Sequence, residues 1–227
     1  MEKYPEVATE RFDKANFHIN YCLSFFKKFM KGNILEVGAG CGSFTKFYHE
    51  KYQSITLTEL DKKNFLDLKN RFNGKKNILI SNSPVEYLEK KFDTIMYLHV
   101  LEHISDDIHE LKSAMDKLNN NGYLVIMVPA HQNIYSNLDK AVGHYRRYEK
   151  EFFKKDLFGL KRIRFISLDS VGYLLYFLNR IFFKKEVYPS NLKIFLWDKI
   201  FTPLTMVLDI FFMYKFGKCF VAVYKKV

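Results

Sequence analysis

ILEVGAGCGSF, from Ile34 to Phe44, sets a carboxylate, Glu36, inside an apolar run and glycines at positions 38, 40 and 42 directly behind it. Glycine lets the chain turn sharply, admits a ligand where a Cβ would block it, and opens onto the free N–H groups of a helix start. Such a turn suits a nucleotide. The dinucleotide fingerprint is G-x-G-x-x-G, whose helix N-terminus receives a pyrophosphate. Here the spacing is G-x-G-x-G, with Ser43 where the last glycine is required. A carboxylate at Glu36 repels a pyrophosphate and attracts an ammonium or sulfonium group. A second acid, Glu59, lies 21 positions after Gly38, at the end of the next apolar run, where a carboxylate accepts both hydroxyls of a ribose.

The elements that must position these groups follow from periodicity. Residues 12–30 space their apolar positions by three and four, as an amphipathic helix does. NILEVG, SITLTEL, KNILISN, FDTIMYLHV and YLVIMVPA read as five strands. Helices are expected at SFTKFYHEKY, KKNFLDLKNRFN, PVEYLEK and DDIHELKSAMDKLN between them. Strands alternating with helices at this spacing predict an α/β fold with a parallel sheet covered on both faces. After Pro129 come a polar segment, a helix from about Lys150, a strand at RIRFISL, an aromatic-rich stretch over 171–216 and a last strand, CFVAVYK.

In an open sheet of this kind the ligand lies beyond the carboxyl ends of the strands, where strand order reverses. The glycine turn and Glu59 sit at that edge, and ribose plus a cation describes S-adenosylmethionine. The blander reading of the glycines is a tight strand-to-helix turn and nothing more.

ILEVGAGCGSFT, TLTELD, FDTIMYLHVLEHI and NNGYLVIMVPA, in this order over residues 33–130, resemble the successive motifs of class I S-adenosylmethionine-dependent methyltransferases. DKAVGHYRRYEKEFF and GKCFVAVYKK resemble a bacterial branch with a D-x-x-x-G-H-x-R-R-Y signature. The resemblance implies a Rossmann-like, doubly wound seven-stranded sheet, mostly parallel with its last strand antiparallel, and an α-helical cap before that strand. It implies that Gly38, Ala39 and Gly40 line the methionine moiety, with Glu36 supporting the loop or the amino group. Glu59 would hold the ribose and Leu60 would meet the adenine. Asn82 falls where the family often has an aspartate for the adenine amino group, followed by Ser83. Tyr97, Leu98 and His99 would border the sulfonium.

Methyl transfer from a sulfonium is an in-line displacement that needs a positioned nucleophile and a dry site. A hydroxyl or ammonium acceptor must also lose a proton, for which a histidine is the usual base. His99, His103, His131 and His144 are the candidates, with His103 read as structural. His144 stands in GHYRRY, on the side where acceptors enter, within ten positions of Asp139, Tyr145, Arg146, Arg147 and Tyr148. His144, Tyr145, Arg147 and His99 are the candidate catalytic residues; Arg146 and Arg147 can hold a phosphate or carboxylate bidentately. The alternative is that Asp139 pairs with an arginine and the tyrosines pin the loop. The histidines show no ligand spacing with cysteine or acidic partners, so no metal site is expected.

Length suits one domain over 1–227, comprising an N-terminal helical segment (1–31), a substrate-side loop (131–150) and a helical cap (171–216). Hydrophobic residues at 48% and charged residues at 27% exclude global disorder. Cys22, Cys41 and Cys219 form no CxxC pair, which fits a reducing cytoplasm. MEKYPEVATERF shows no signal-peptide pattern, and IFLWDKIFTPLTMVLDIFFMY, carrying Asp198, Lys199, Asp209 and Pro203, makes a poor membrane span.

A net charge of +11 calls for an anionic partner or a lysine-rich solvated surface. The acceptor expected is a small molecule, a glycan or a lipid-linked precursor. The cap with Lys184 and Lys185 would meet a membrane surface, or else form core or an oligomer seam. An RNA methyltransferase is the alternative. Base-amino methylation is disfavoured, because YLHVLEHI stands where an Asn- or Asp-Pro-Pro-aromatic turn is required. A non-catalytic cofactor-binding scaffold and a nicotinamide-dependent oxidoreductase complete the alternatives, the last disfavoured by Ser43 and Glu36.

Overall fold

The computed structural model describes residues 11–182 and 190–227. Its sheet is assembled from β1 (Asn33–Val37), β2 (Ser54–Thr58), β3 (Ile78–Ser81), β4 (Phe92–Leu98), β5 (Leu118–Pro129), β6 (Asp156–Leu157), β7 (Leu160–Leu168) and β8 (Cys219–Lys226) in the order β3-β2-β1-β4-β5-β8-β7-β6. β1 to β5 run parallel, and β8 enters antiparallel between β5 and β7. The expected seven-stranded plan gains an eighth member, since two-residue β6 pairs antiparallel with the β7 edge. Strand order reverses between β1 and β4, so the crevice opens beside the glycine turn.

Period-two alternation explains why both faces are dry. Ile34, Leu57, Met96, Val125 and Val221 point into one apolar layer; Leu35, Ile95, Tyr97, Ile126 and Phe220 point into the other. The first layer is closed by helix α1 (Asn16–Ser24) through Tyr21, Cys22 and Leu23. The second is closed by α3 (Asp107–Lys117) through Leu111 and Ala114. Helix α2 (Lys62–Arg71) starts at Asp61, whose carboxylate accepts the N–H groups of Lys63 and Asn64.

Three expected helices shrink to short 3-10 turns. After the glycines only Thr45–Phe47 and His49–Lys51 coil, because Thr45 and Tyr48 turn inward onto Glu36 in a segment of β-branched and aromatic residues with low helix propensity. Val85–Tyr87 and Lys150–Phe152 behave alike. At the latter, Phe152 packs edge-on against Tyr148 and Phe153, and Phe153 also meets Phe165 and Phe220.

The cap comprises α5 (Ser170–Phe182), α6 (Asn191–Leu196), a π turn (Trp197–Phe201) and α7 (Thr202–Phe211), after the short α4 (Asn137–Ala141). Buried carboxylates tie it to the sheet. Asp209 accepts the N–H groups of Asp169 and Ser170 and the Tyr21 hydroxyl; Asp198 accepts the His18 N–H. Asp169 takes Lys218 Nζ at 2.9 Å, the Thr205 hydroxyl and the Gly172 N–H. The acids that make this stretch a poor membrane span are the cap's anchors. No helix of the described residues is long and apolar enough to cross a membrane. Lys184 and Lys185 lie outside the described residues.

Candidate active site

The crevice floor is the turn after β1. Gly38 has φ +61°, and a Cβ there would stand 2.9 Å from both γ-carbons of Val100, so backbone alone fits between β1 and the exit of β4. Ala39 N–H donates to the Thr58 carbonyl at 2.9 Å. Gly40 N–H donates to Glu59 Oε2 at 2.8 Å, and Asp61 N–H donates to Oε1 at 2.8 Å. Glu59 is thus aimed by two backbone donors, with burial pushing its carboxyl up and those bonds pulling it down. Leu60 is exposed on the lip. The Asn82 amide donates to the carbonyls of Glu59 and Leu60, and Ser83 follows at the carboxyl end of β3.

The structure narrows three sequence expectations here, and of the two roles open to Glu36 its contacts match support of the loop. Glu36 is buried, and its Oε2 accepts the hydroxyls of Thr45 at 2.6 Å and Tyr48 at 2.5 Å. Burial raises its carboxyl to about 7, so it braces the loop from within the core and is no fixed negative charge facing a sulfonium. Tyr97 is fully buried on the opposite layer and donates to Glu110 Oε1 at 2.8 Å, because strand alternation turns it away from the crevice. Leu98 is buried in the same apolar layer as Ala39 and Leu57.

Sequence reasoning missed Asp13. Its carboxylate accepts from Ser43 Oγ at 2.8 Å, Lys46 Nζ at 3.1 Å and Arg71 at 3.0 Å, while Arg71 also reaches the Cys41 carbonyl. The N-terminal segment is therefore pinned over the glycine turn. No local pattern signals this contact.

Across the crevice, the chain leaves β4 through His99, whose φ is +59° and whose N–H donates to the Met127 carbonyl. Positive φ in a non-glycine residue is a strained choice held by its surroundings. One 3-10 turn, Leu101–His103, then brings Glu102 back, fully buried, with Oε1 3.4 Å from His99 Nδ1 and 3.9 Å from His144 Nε2. The His103 and His144 rings meet edge-on at 4.6 Å. Burial alone would lower His99, but the neighbouring Cys219 and Glu102 hold it up at about 10. Burial lowers His103 to about 4. Burial would raise Glu102, and the His99 beside it holds it below the usual carboxylate value.

The 131–150 loop is folded around Asp139. His144 Nδ1 lies 2.8 Å from Oδ1, and Arg147 donates to the same oxygen through Nε at 3.0 Å and through its second nitrogen at 2.9 Å. Oδ2 accepts from the Ser136 N–H and the Tyr176 hydroxyl. Arg147 also reaches the Ala130 carbonyl and stands 4.3 Å over the Tyr176 ring. The neighbouring charges hold Asp139 well below the usual carboxylate range although burial opposes them.

Arg147 is consequently corrected from acceptor ligand to buried counter-ion, since burial leaves its guanidinium no face for a substrate. Arg146 is likewise occupied, by Asp107 at 2.9 Å and the Ser105 carbonyl. His144 stays beside the crevice, its Nδ1 committed to Asp139 and its Nε2 facing Glu102. Tyr145 carries an exposed phenol, and its N–H holds the Glu102 carbonyl. His131 pairs loosely with Glu149 at 3.7 Å, away from the cluster.

Folding gathers three potential ligand residues: ligand atoms of Glu102, His103 and His144 all lie within 4.8 Å of one another. The missed residue is Glu102. Its signal was H-x-x-E-H at a strand exit, a spacing that one helical turn gathers onto a single side.

A family model described as a methyltransferase domain matches residues 10–170, well over half of the chain. No curated protein shows a significant sequence match. Among solved structures, coclaurine N-methyltransferase bound to N-methylheliamine and S-adenosylhomocysteine is similar, with a TM-score of 0.65 and 11% identity over 100% of this chain and 82% of that one. The N-methyltransferase NodS from Bradyrhizobium japonicum, in complex with S-adenosylhomocysteine, gives 0.60 and 12% over 94% and 87%. The MccD protein gives 0.55 and 14% over 92% and 96%. At these identities the likeness is one of fold.

Proposed function

Since the chain belongs to the methyltransferase-domain family, we propose that it transfers the methyl group of S-adenosylmethionine to an oxygen or nitrogen of a small-molecule, glycan or lipid-precursor acceptor. The observation that carries this reading is the joining of the glycine turn to Glu59 by the Gly40 N–H. The cofactor supplies an electrophilic methyl group on a sulfonium.

The residues present fit that cofactor. The space a Cβ at position 38 would fill lies against Val100, so the turn at Gly38–Gly40 offers bare backbone to the methionine end. Glu59, aimed by two N–H groups, keeps lone pairs for two ribose hydroxyls. Leu60 covers one face of the adenine and the Asn82–Ser83 turn borders its edge. On the acceptor side His99, His144 and Glu102 cluster at the exit of β4. They orient the nucleophile, while Tyr145 meets the acceptor at the mouth.

A lipid-linked acceptor is favoured by the cap. Leu204, Val207, Ile210 and Phe211 of α7, with Leu192 and Phe195 of α6, are exposed. Contiguous apolar exposure on this scale marks an interaction surface. Together with the chain's net charge of +11, it supports peripheral attachment to an anionic membrane face. The free thiols Cys22, Cys41 and Cys219 suit the cytoplasmic side. Transfer of labelled methyl from S-adenosylmethionine to a panel of polyprenyl-linked, glycan and small-molecule acceptors tests the reading. Product that disappears in His144→Ala supports it; no product with any acceptor, from protein that binds cofactor, favours a binding scaffold.

A further inference from the structure

We propose that Glu102, His103 and His144 bind a divalent first-row transition ion, which holds an oxygen of the acceptor beside the cofactor turn. The clause about the acceptor rests on the methyltransferase reading; the ion site itself does not.

Glu102 is fully buried, and neither of its carboxylate oxygens has a hydrogen-bond partner among the described residues. Its nearest neighbour, His99 Nδ1, is 3.4 Å away, too long for a well-formed N–H···O bond. A buried carboxylate without hydrogen bonds is costly in general, and His99 at 3.4 Å offsets that cost only through its charge; coordination of a cation is a further way to recover it.

The groups facing its oxygens are ligands. His144 Nε2 is 3.9 Å from Oε1, and one donor atom each from Glu102, His103 and His144 fit within a 4.8 Å circle. Ligand bonds of about 2.0–2.2 Å need separations of roughly 3–3.5 Å, so each side chain closes inward by up to about 0.8 Å.

A further feature is that His144 is already set as a ligand. Its Nδ1 is 2.8 Å from Asp139 Oδ1, and Asp139 is itself fixed by Arg147, Ser136 and Tyr176. A carboxylate holding one ring nitrogen leaves the lone pair of the other for a metal, the arrangement that orients histidine ligands in metal sites generally. Two imidazoles and one carboxylate, with positions left open, suit zinc, iron(II) or manganese(II) better than magnesium or calcium.

The Val100 side chain that a Cβ at Gly38 would strike belongs to the same strand exit as Glu102, so the ion would lie next to the cofactor turn. A hydroxyl coordinated there is acidified. Its proton passes to solvent water, its oxygen lone pair forms the bond to the methyl carbon, and the carbon–sulfur bond breaks with its electrons kept by sulfur.

The test is a zinc and cobalt(II) titration of chelator-treated full chain, with S-adenosylhomocysteine binding measured on the same samples. Wild type is expected to bind one equivalent, with cobalt(II) giving the visible absorption of a protein-coordinated ion. Glu102→Gln and His144→Ala should weaken binding at least a hundredfold and keep S-adenosylhomocysteine affinity within about threefold. His109→Ala, which changes an exposed histidine elsewhere, should bind as wild type.

His103→Ala serves if Glu102→Gln does not fold. Folded wild type that binds S-adenosylhomocysteine but neither zinc nor cobalt overturns the ion site and leaves the function standing; Glu102 is then balanced by His99 alone. Binding of an ion that Glu102→Gln and His144→Ala leave intact overturns it as well. Metal binding without S-adenosylhomocysteine binding contradicts the function and retains the site.

Discussion

Gly40 N–H and Glu59 Oε2 meet at 2.8 Å, joining the turn after β1 to the end of β2 across 19 residues. The carboxylate is therefore an organiser of the turn and, on our reading, a ribose ligand. Glu59→Ala removes both roles. S-adenosylhomocysteine affinity should fall at least tenfold, as expected when charge-assisted hydrogen bonds of about 1.5–3 kcal/mol are lost. Because Glu59 is buried and its loss leaves two backbone N–H groups without their acceptor, the melting temperature should also fall by several degrees; affinity within twofold of wild type in the folded variant would remove Glu59 from the cofactor site.

Gly38 is squeezed from two directions: its φ is +61°, and a Cβ would press on Val100. Gly38→Ala should weaken cofactor binding, and Gly38→Arg should abolish it. Adding Val100→Ala to Gly38→Ala relieves the clash but not the left-handed backbone, which alone costs about 1–2 kcal/mol. Partial recovery of affinity in the double variant is expected. Full recovery would show that contact, and not conformation, demands the glycine.

Arg147 is assigned to Asp139 and not to the acceptor. Arg147→Met leaves a buried carboxylate without its cation, a loss of about 3–5 kcal/mol. Thermal unfolding should show a melting temperature lowered by several degrees, with Arg147→Lys in between because it keeps the charge and loses the two-pronged geometry. An unchanged melting temperature together with a raised acceptor KM would restore Arg147 to the substrate.

Glu36 makes stability depend on pH. Its carboxyl is raised by burial from 4.5 to about 7, so the folded chain holds that proton more tightly than the unfolded one. The stabilisation this gives is fully present below about pH 4.5 and is lost as pH rises through about 7. Melting curves between about pH 5 and 8 should fall more steeply with pH in wild type than in Glu36→Gln. Parallel curves would contradict the assignment.

The sheet was legible because its cause is local. Runs such as Leu35-Glu36-Val37 and Leu124–Val128 carry the apolar signal within a few residues, and the glycines announce the turn. What stayed hidden was decided by distant partners. Tyr21 meets Asp209, 188 positions away, and neither residue signals this in its own neighbourhood. Glu102 gave no sign of a role until the fold closed imidazoles around it, whereas the pairing of Asp139 with an arginine was already one of the two readings of its segment. Arg147 was misread for the same reason: sequence shows a guanidinium but not whether it is already taken. The helices expected after Gly42 and at Lys150 failed where aromatic side chains gained more by packing inward than by coiling regularly.

The central claim is tested most directly by calorimetric titration of the folded chain with S-adenosylmethionine and S-adenosylhomocysteine, with NAD and NADP as controls and Glu59→Ala beside wild type. The account predicts saturable one-to-one binding of both sulfur nucleosides, weakened at least tenfold in Glu59→Ala, and none of the dinucleotides. Binding of NAD or NADP in place of the sulfur nucleosides, or no binding of either, would contradict it.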